Sequence, residues 1–143
     1  MKNSLLAVVC SLLLTAAACS RDNLCDTPFG MGASIDIYQP DFAALMTVGG
    51  TVTINCGHKG IFVHRTTLSD FVAFECACPH CHETRLTLDT DANSRWKDIA
   101  LKCPDCHSHF DIWFGNPCSG ASVTNCPLYE YRTFFDGYTL EIY

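Results

Sequence analysis

Cysteine is the residue that most constrains how this chain folds, because there are 11 cysteines in 143 residues. So high a share predicts a disulfide-stabilised domain, a metal site, or both. Two clusters stand out, at residues 76–82 and 103–109, and each contains the motif Cys-Pro-x-Cys. Both thiolates of such a tight turn point the same way, so two facing turns can enclose one metal ion. The spacing favours metal ligation, with disulfides as the alternative.

The first nineteen residues predict a targeting signal rather than a part of the fold. The apolar run from Leu5 to Leu14 is too short to span a bilayer, which takes about 20 apolar residues. Residues 16–19, Ala-Ala-Ala-Cys, resemble a bacterial lipobox in which Cys19 becomes the lipidated first residue of the mature chain. The same Ala-x-Ala also fits an ordinary signal-peptidase site. We favour the lipoprotein because the small residues end directly on a cysteine.

Either cleavage places the mature chain outside the cytosol, where disulfides are permitted. We expect three parts: a signal peptide over residues 1–19, a tether over residues 20–33, and one domain over residues 34–143. The predicted location is the bacterial cell envelope, with a lipid anchor in the membrane and the domain extracytoplasmic.

The pattern after the tether predicts an all-β domain built from small antiparallel sheets. Short runs with β-like patterning alternate with Gly, Pro, Asp and Asn. The Asp136-Gly137 pair between two aromatic runs predicts a hairpin. Only Phe42–Met46 resembles a helical turn. The predicted strands are Ser34–Tyr38, Thr51–Asn55, Ile61–His64, Phe71–Cys76, Arg85–Leu88, Ile99–Lys102, Phe110–Phe114, Tyr129–Phe134 and Tyr138–Tyr143.

Three passages resemble the Rieske iron–sulfur proteins. Residues 60–65 and 71–76 are similar to the strands that enter the first ligand loop of that family. Residues 103–111 resemble its second ligand loop, which often runs Cys-Pro-x-His-Gly-Ser-x-Phe-Asp. Residues 115–131 are similar to its later proline loop and final strand. The likeness extends from about Gly49 to the end, and it is greatest to a small bacterial lipoprotein branch. It implies a Rieske-like fold with a two-knuckle metal-binding subdomain of the rubredoxin or zinc-ribbon kind.

The metal ligands can be read in two registers. A Rieske cluster takes two cysteines on one iron and two histidines on the other. One register supplies Cys78 and His80 from the first loop, with Cys106 and His109 from the second. It puts the Phe-Asp pair of the second loop out of step with the family.

The other register keeps that Phe-Asp pair aligned and gives four thiolates. Cys103 and Cys106 then come from the second loop, and Cys78 with either Cys76 or Cys81 from the first. We favour the aligned framework. The expected ligands are therefore Cys78, Cys81, Cys103 and Cys106, with Cys76, His80 and His109 in reserve.

Four thiolates suit zinc, a single iron, or an all-cysteine 2Fe–2S cluster. Histidine ligation is what raises the potential of a Rieske centre, so a four-thiolate cluster sits much lower. We expect a 2Fe–2S cluster, with Zn as the alternative.

The remaining cysteines suggest disulfides. Cys118 and Cys126 bracket a short loop, and a bridge between them would add about 2–3 kcal/mol. Cys25 and Cys56 are a second candidate pair, although sequence does not fix connectivity.

Charge and composition narrow the function. The net charge of −6 and the lack of any long Lys/Arg run disfavour a nucleic-acid partner. No catalytic constellation is apparent, so we do not expect an enzyme. The expected function is an extracytoplasmic metal-binding protein that carries electrons to an unidentified redox or envelope protein. The alternative is a structural or binding lipoprotein, held by zinc or by disulfides, with no redox role.

Overall fold

The computed structural model describes residues 29–120 and 126–143. The predicted signal peptide, Cys19, Cys25 and most of the tether lie outside the described residues, so those assignments stay predictions. Within the described ranges, no helix is both long enough and apolar enough to cross a membrane.

The described residues are almost entirely β-structure, which confirms the predicted fold class. The only helical segment among them is a short 3-10 helix at Pro40–Met46, where a helical turn was predicted. The strands are β1 (Ala33–Asp36), β2 (Thr51–Ile54), β3 (Ile61–Arg65), β4 (Phe71–Glu75), β5 (Thr87–Leu88), β6 (Ala100–Lys102), β7 (His109–Asp111), β8 (Pro117–Ser119), β9 (Glu130–Tyr131), β10 (Thr133–Phe135) and β11 (Thr139–Ile142).

These strands form three small antiparallel sheets. The first has the order β1-β11-β10, the second β2-β3-β4-β9, and the third β5-β6-β7-β8. The predicted hairpin at Asp136-Gly137 joins β10 to β11, and Gly137 takes the positive φ of 102° that such a turn requires. The Asp136 carboxylate accepts the backbone N–H groups of Tyr138 and Thr139, which fixes the turn.

The structure departs from the predicted strands at several places. The strand predicted at Phe110–Phe114 ends at Asp111, where a turn begins. The predicted strand Tyr129–Phe134 is divided at Arg132, because the chain there changes partner. Tyr131 pairs with β4, whereas Thr133 pairs with β11 in another sheet. Strand β8 was not predicted, since its sequence begins with a proline and shows no alternation. It is an edge strand whose register with β7 shifts at His109, and edge positions tolerate proline.

The buried side chains fall into two clusters. The first cluster lies between the first and second sheets, and its largest members are aliphatic and aromatic. The second cluster lies between the second and third sheets and contains buried cysteines. The second cluster consists of Phe62, Phe74, Cys76, Cys78, Leu86, Leu101, Cys103, Phe110, Ile112 and Leu128.

The fully buried carboxylate of Glu75 joins the end of β4 to the turn between β2 and β3. Glu75, at the end of β4, is 0% exposed. It accepts the backbone N–H groups of His58 at 2.8 Å, Lys59 at 2.7 Å and Ala77 at 3.2 Å. The Tyr131 hydroxyl donates a fourth hydrogen bond at 2.7 Å. Because a buried charge is tolerated only when its oxygens are bonded, these donors hold the β2–β3 turn against the exit of β4.

The Tyr131→Phe variant should therefore lower the free energy of unfolding by about 1–3 kcal/mol, since it leaves a buried carboxylate short of a donor. Urea denaturation of the full chain measures the change. Tyr138→Phe is the matched control, because the Tyr138 side chain is 69% exposed, and it should change stability by less than about 0.5 kcal/mol. Equal stability of the two variants would contradict this account of Glu75.

Candidate metal centre

Four cysteine sulfurs come together at one end of the third sheet. The Sγ atoms of Cys78, Cys81, Cys103 and Cys106, the four-cysteine group, all lie within 4.8 Å of one another. Two of these residues come from the first knuckle, residues 78–81, and two from the second knuckle, residues 103–106. The structure thus brings together the four residues of the expected ligand set, with Cys81 rather than Cys76 from the first loop.

Sheet topology explains why the knuckles meet. The first knuckle leads into β5, and the second follows β6 directly. Because β5 and β6 are antiparallel, with Thr87 opposite Lys102, the exit of the first knuckle lies beside the entry of the second. An isolated bridge between Ala77 and Arg85 closes the first knuckle at its base. The pairing of β6 with β7 closes the second knuckle in the same way.

The two knuckles share one backbone conformation. The carbonyl of Cys78 accepts the N–H of His82 at 2.8 Å, and the carbonyl of Cys103 accepts the N–H of His107 at 3.0 Å. Both histidines lie in the left-handed region, with φ of 52° and 58°. This turn directs the two thiols of each loop to the same side.

Two sulfur–sulfur distances in the group match those around a single tetrahedral ion. Metal–sulfur bonds of about 2.3 Å imply sulfur–sulfur separations of about 3.8 Å in a tetrahedron. Cys78 Sγ lies 3.7 Å from Cys106 Sγ, and Cys81 Sγ lies 3.8 Å from Cys103 Sγ. These are two opposite edges of the four-sulfur tetrahedron, and both match the spacing around one ion.

Each knuckle contributes one buried and one accessible sulfur to the four-cysteine group. Cys78 and Cys103 are 0% exposed and belong to the second core cluster. Cys81 and Cys106 are half-buried and pack against that cluster from outside. The centre therefore lies at the boundary between the core and the solvent.

The pKa values of the thiols differ across the group. Burial raises the pKa of Cys78, and burial together with the Cys106 and Cys103 thiols raises the pKa of Cys81 to about 11. Burial also acts to raise the pKa of Cys106, but hydrogen bonds from Ser108 and from neighbouring thiols outweigh it and hold the pKa at about 6. Ser108 Oγ lies 3.2 Å from Cys106 Sγ. A bound cation would have to displace protons from Cys78 and Cys81 at neutral pH.

The three reserve residues lie outside the four-cysteine group. Cys76 is buried in the second core cluster, and burial raises its pKa to about 12. His80 is exposed, with Nδ1 3.5 Å from Cys81 Sγ. His109 Nε2 lies 3.1 Å from the Asp89 carboxylate, and Nδ1 lies 3.1 Å from Ser119 Oγ. Both ring nitrogens of His109 are therefore engaged away from the sulfurs.

Sequence reasoning missed the role of Asp89. It lies in a turn, yet it is only 3% exposed, because it accepts hydrogen bonds from Ser94 and His109. The side-chain hydrogen bond from Ser94 is the largest effect that lowers the pKa of Asp89, and it outweighs burial. A sequence signal was present in Asp89-Thr90-Asp91, a pattern typical of an Asx turn. The contact between Asp89 and His109 anchors β7 beside the second knuckle.

The two predicted disulfides are not formed in the structure. Cys56 and Cys118 carry free thiols, so neither Cys25–Cys56 nor Cys118–Cys126 is bridged. Cys118 is held in β8 by pairing with β7, and Cys56 packs against the first core cluster. Cys126 is disulfide-bonded, and Cys118 is not its partner.

Comparison with solved structures finds ferredoxins. The ferredoxin of carbazole 1,9a-dioxygenase from Nocardioides aromaticivorans IC177 is 20% identical with a TM-score of 0.43, over 80% of this chain and 96% of that chain. The ferredoxin of Sphingomonas yanoikuyae B1 is 18% identical with a TM-score of 0.38, over 78% of this chain and 86% of that chain.

A complex of reduced oxygenase and oxidized ferredoxin in carbazole 1,9a-dioxygenase gives 22% identity and a TM-score of 0.42, over 68% of this chain and 83% of that chain. No protein-family model and no curated protein matches the chain.

The Cys103→Ser variant should lose metal binding and unfold more readily, because metal binding and folding are linked. Metal content after gel filtration and the melting temperature both report this change. The matched control is Cys76→Ser, which replaces a buried cysteine outside the group and should leave metal content unchanged. Equal metal content in the two variants would contradict the ligand assignment.

The His80→Ala and His109→Ala variants distinguish the two registers in the same assay. Both should retain the full metal content, since neither ring contributes to the four-cysteine group. Loss of metal in both variants would support the histidine register instead.

Proposed function

We propose that this protein binds one metal ion through four thiolates and, when that ion is iron, carries single electrons. The observation that supports it is the convergence of four sulfurs within 4.8 Å, with opposite pairs at 3.7 and 3.8 Å. Iron bound by four thiolates cycles between two oxidation states without changing its ligands. The chain supplies the donors, their spacing and the partial shielding from water.

The sulfur spacing favours one ion over the 2Fe–2S cluster expected from the sequence. In such a cluster each iron takes two cysteines, and bridging sulfides separate the irons. Thiolates on opposite irons therefore lie further apart than the edges of one tetrahedron. Here every sulfur–sulfur separation is 4.8 Å or less.

The position of the group suits electron exchange. Cys81 and Cys106 are half-buried, and the residues that follow them, His82 and His107, are exposed. An electron could enter or leave through these ligands without crossing the core. The buried pair, Cys78 and Cys103, anchors the centre in the second core cluster.

Zinc is the second candidate, and a specific observation favours it. The second core cluster includes Cys78 and Cys103, and the other two expected ligands, Cys81 and Cys106, pack against it. An ion at this position would tie the third sheet to the second, as structural zinc does in small domains. Zinc is redox-silent, so the function would then be a structural or binding role.

Metal analysis of protein from the native host tests the proposal. Iron at one equivalent without acid-labile sulfide, and a reversible one-electron redox titration, would support the electron carrier. One equivalent of zinc in a colourless protein would replace it with the structural role. Two irons with sulfide would contradict the single-ion centre.

We also propose that the chain acts at the cell envelope, lipid-anchored through Cys19, where it meets a redox or envelope protein. The support is the lipobox-like Ala-Ala-Ala-Cys that precedes the domain. At this location the centre would be accessible to redox proteins of the cell envelope, in an oxidising compartment.

Fractionation of cells that produce the full chain tests the anchor. The wild type should sediment with membranes, and Cys19→Ala should move to the soluble fraction, because acyl chains supply the membrane affinity. Cys25→Ala is the matched control and should stay with the membranes. A soluble wild type would overturn the anchor and leave the metal centre unaffected.

A further inference from the structure

We infer that the four-cysteine group is also a thiol–disulfide site, which closes into two cross-knuckle disulfides when the metal is absent. The pairs are Cys78 with Cys106 and Cys81 with Cys103. The inference rests on the proposed function only for the identity of the ligands and their extracytoplasmic location. The co-reactant is a small-molecule disulfide, such as oxidised glutathione.

The distances select these pairs. Cys78 and Cys106 are separated by 3.7 Å between Sγ atoms, and Cys81 and Cys103 by 3.8 Å. A disulfide needs about 2.05 Å, so each pair must close by about 1.7 Å, shared between two side chains. The two pairs have no residue in common, so both bonds can form in one molecule.

Burial gives the two cysteines of each pair different roles. Each pair joins one fully buried thiol, Cys78 or Cys103, to one half-buried thiol, Cys106 or Cys81. A disulfide oxidant in solution can reach only the half-buried sulfur. The buried sulfur is then close enough to complete the exchange, while no bulky reagent can reach it directly.

The exchange balances in two steps. The Cys106 thiolate attacks one sulfur of oxidised glutathione, which forms a mixed disulfide and releases one glutathione thiolate. The Cys78 thiol then attacks the Cys106 sulfur and passes its proton to the second glutathione thiolate as that thiolate leaves. The two protein sulfurs have lost two electrons, and the oxidant has gained them. Cys81 and Cys103 react in the same way.

The other described free cysteines stand apart from this chemistry. Cys76 is buried but lies outside the four-cysteine group. Cys56 and Cys118 lie in a turn and in β8, outside that group. Metal and oxidant therefore compete for the same four sulfurs. Loading with metal protects the site, and oxidation of the site excludes metal.

Oxidation of the full chain by glutathione disulfide tests the inference. The metal is first removed anaerobically with a chelator, and circular dichroism checks that the β-structure remains. After reaction, free thiols are alkylated and the peptides are analysed by mass spectrometry. Four of the seven described free thiols should no longer react with the alkylating reagent. They should be recovered as the disulfide-linked peptides Cys78–Cys106 and Cys81–Cys103.

Variants separate the two roles. Cys78→Ser should retain glutathione on Cys106, because the second step has lost its thiol. The matched control Cys76→Ser should form both cross-knuckle links as the wild type does. Bridges within a knuckle, links to Cys76, or scrambled pairing in an unfolded metal-free chain would overturn the inference.

The metal-loaded chain distinguishes this inference from the proposed function. Oxidation should release the ion and produce the same two links. A chain that binds one ion but forms other links contradicts this inference alone. A chain that binds no metal yet forms these links contradicts the proposed function alone.

Discussion

The antiparallel pairing of β5 with β6 is the contact on which the metal centre depends. Thr87 lies opposite Lys102, and this register sets the end of one knuckle beside the start of the other. With only two residue pairs in register, that contact is short. Much of the force that keeps the knuckles together must therefore come from the second core cluster and from whatever the sulfurs bind.

The domain divides into a part that folds on apolar packing and a part that depends on sulfur. The first core cluster resembles that of an ordinary β-protein. The second cluster contains three buried cysteines, whose thiols pack as small apolar groups. A bound cation would remove the protons of Cys78 and Cys103 but not that of Cys76. Glu75 connects the two parts, because it bonds the β2–β3 turn and lies directly before the first cysteine cluster.

Much of this could be predicted from the sequence, and the remainder depended on long-range contacts. The Cys-Pro-x-Cys motifs encode the knuckles locally, so the four ligands and the Asp136-Gly137 hairpin follow from neighbouring residues. Disulfide pairing is not local, and the predicted partners of Cys118 and Cys56 were wrong. The pairing of β8 and the division of the predicted strand at Arg132 depend on which sheet edge is free to accept a strand. No short sequence pattern predicts that. The burial of Asp89 likewise requires His109, twenty residues away.

The knuckles are closed by main-chain hydrogen bonds. The positions of the four sulfurs therefore do not depend on which side chains lie between the cysteines. The carbonyls of Cys78 and Cys103 bond the amides of His82 and His107, whatever residues lie between the cysteines. His80 and Asp105 occupy the same place in the two loops, and both are exposed. Asp105 is bonded to Thr84, while Nδ1 of His80 lies 3.5 Å from the Cys81 sulfur. The exposed side chains around the centre can therefore be substituted one at a time to suit a new binding partner, while the four sulfurs keep their positions.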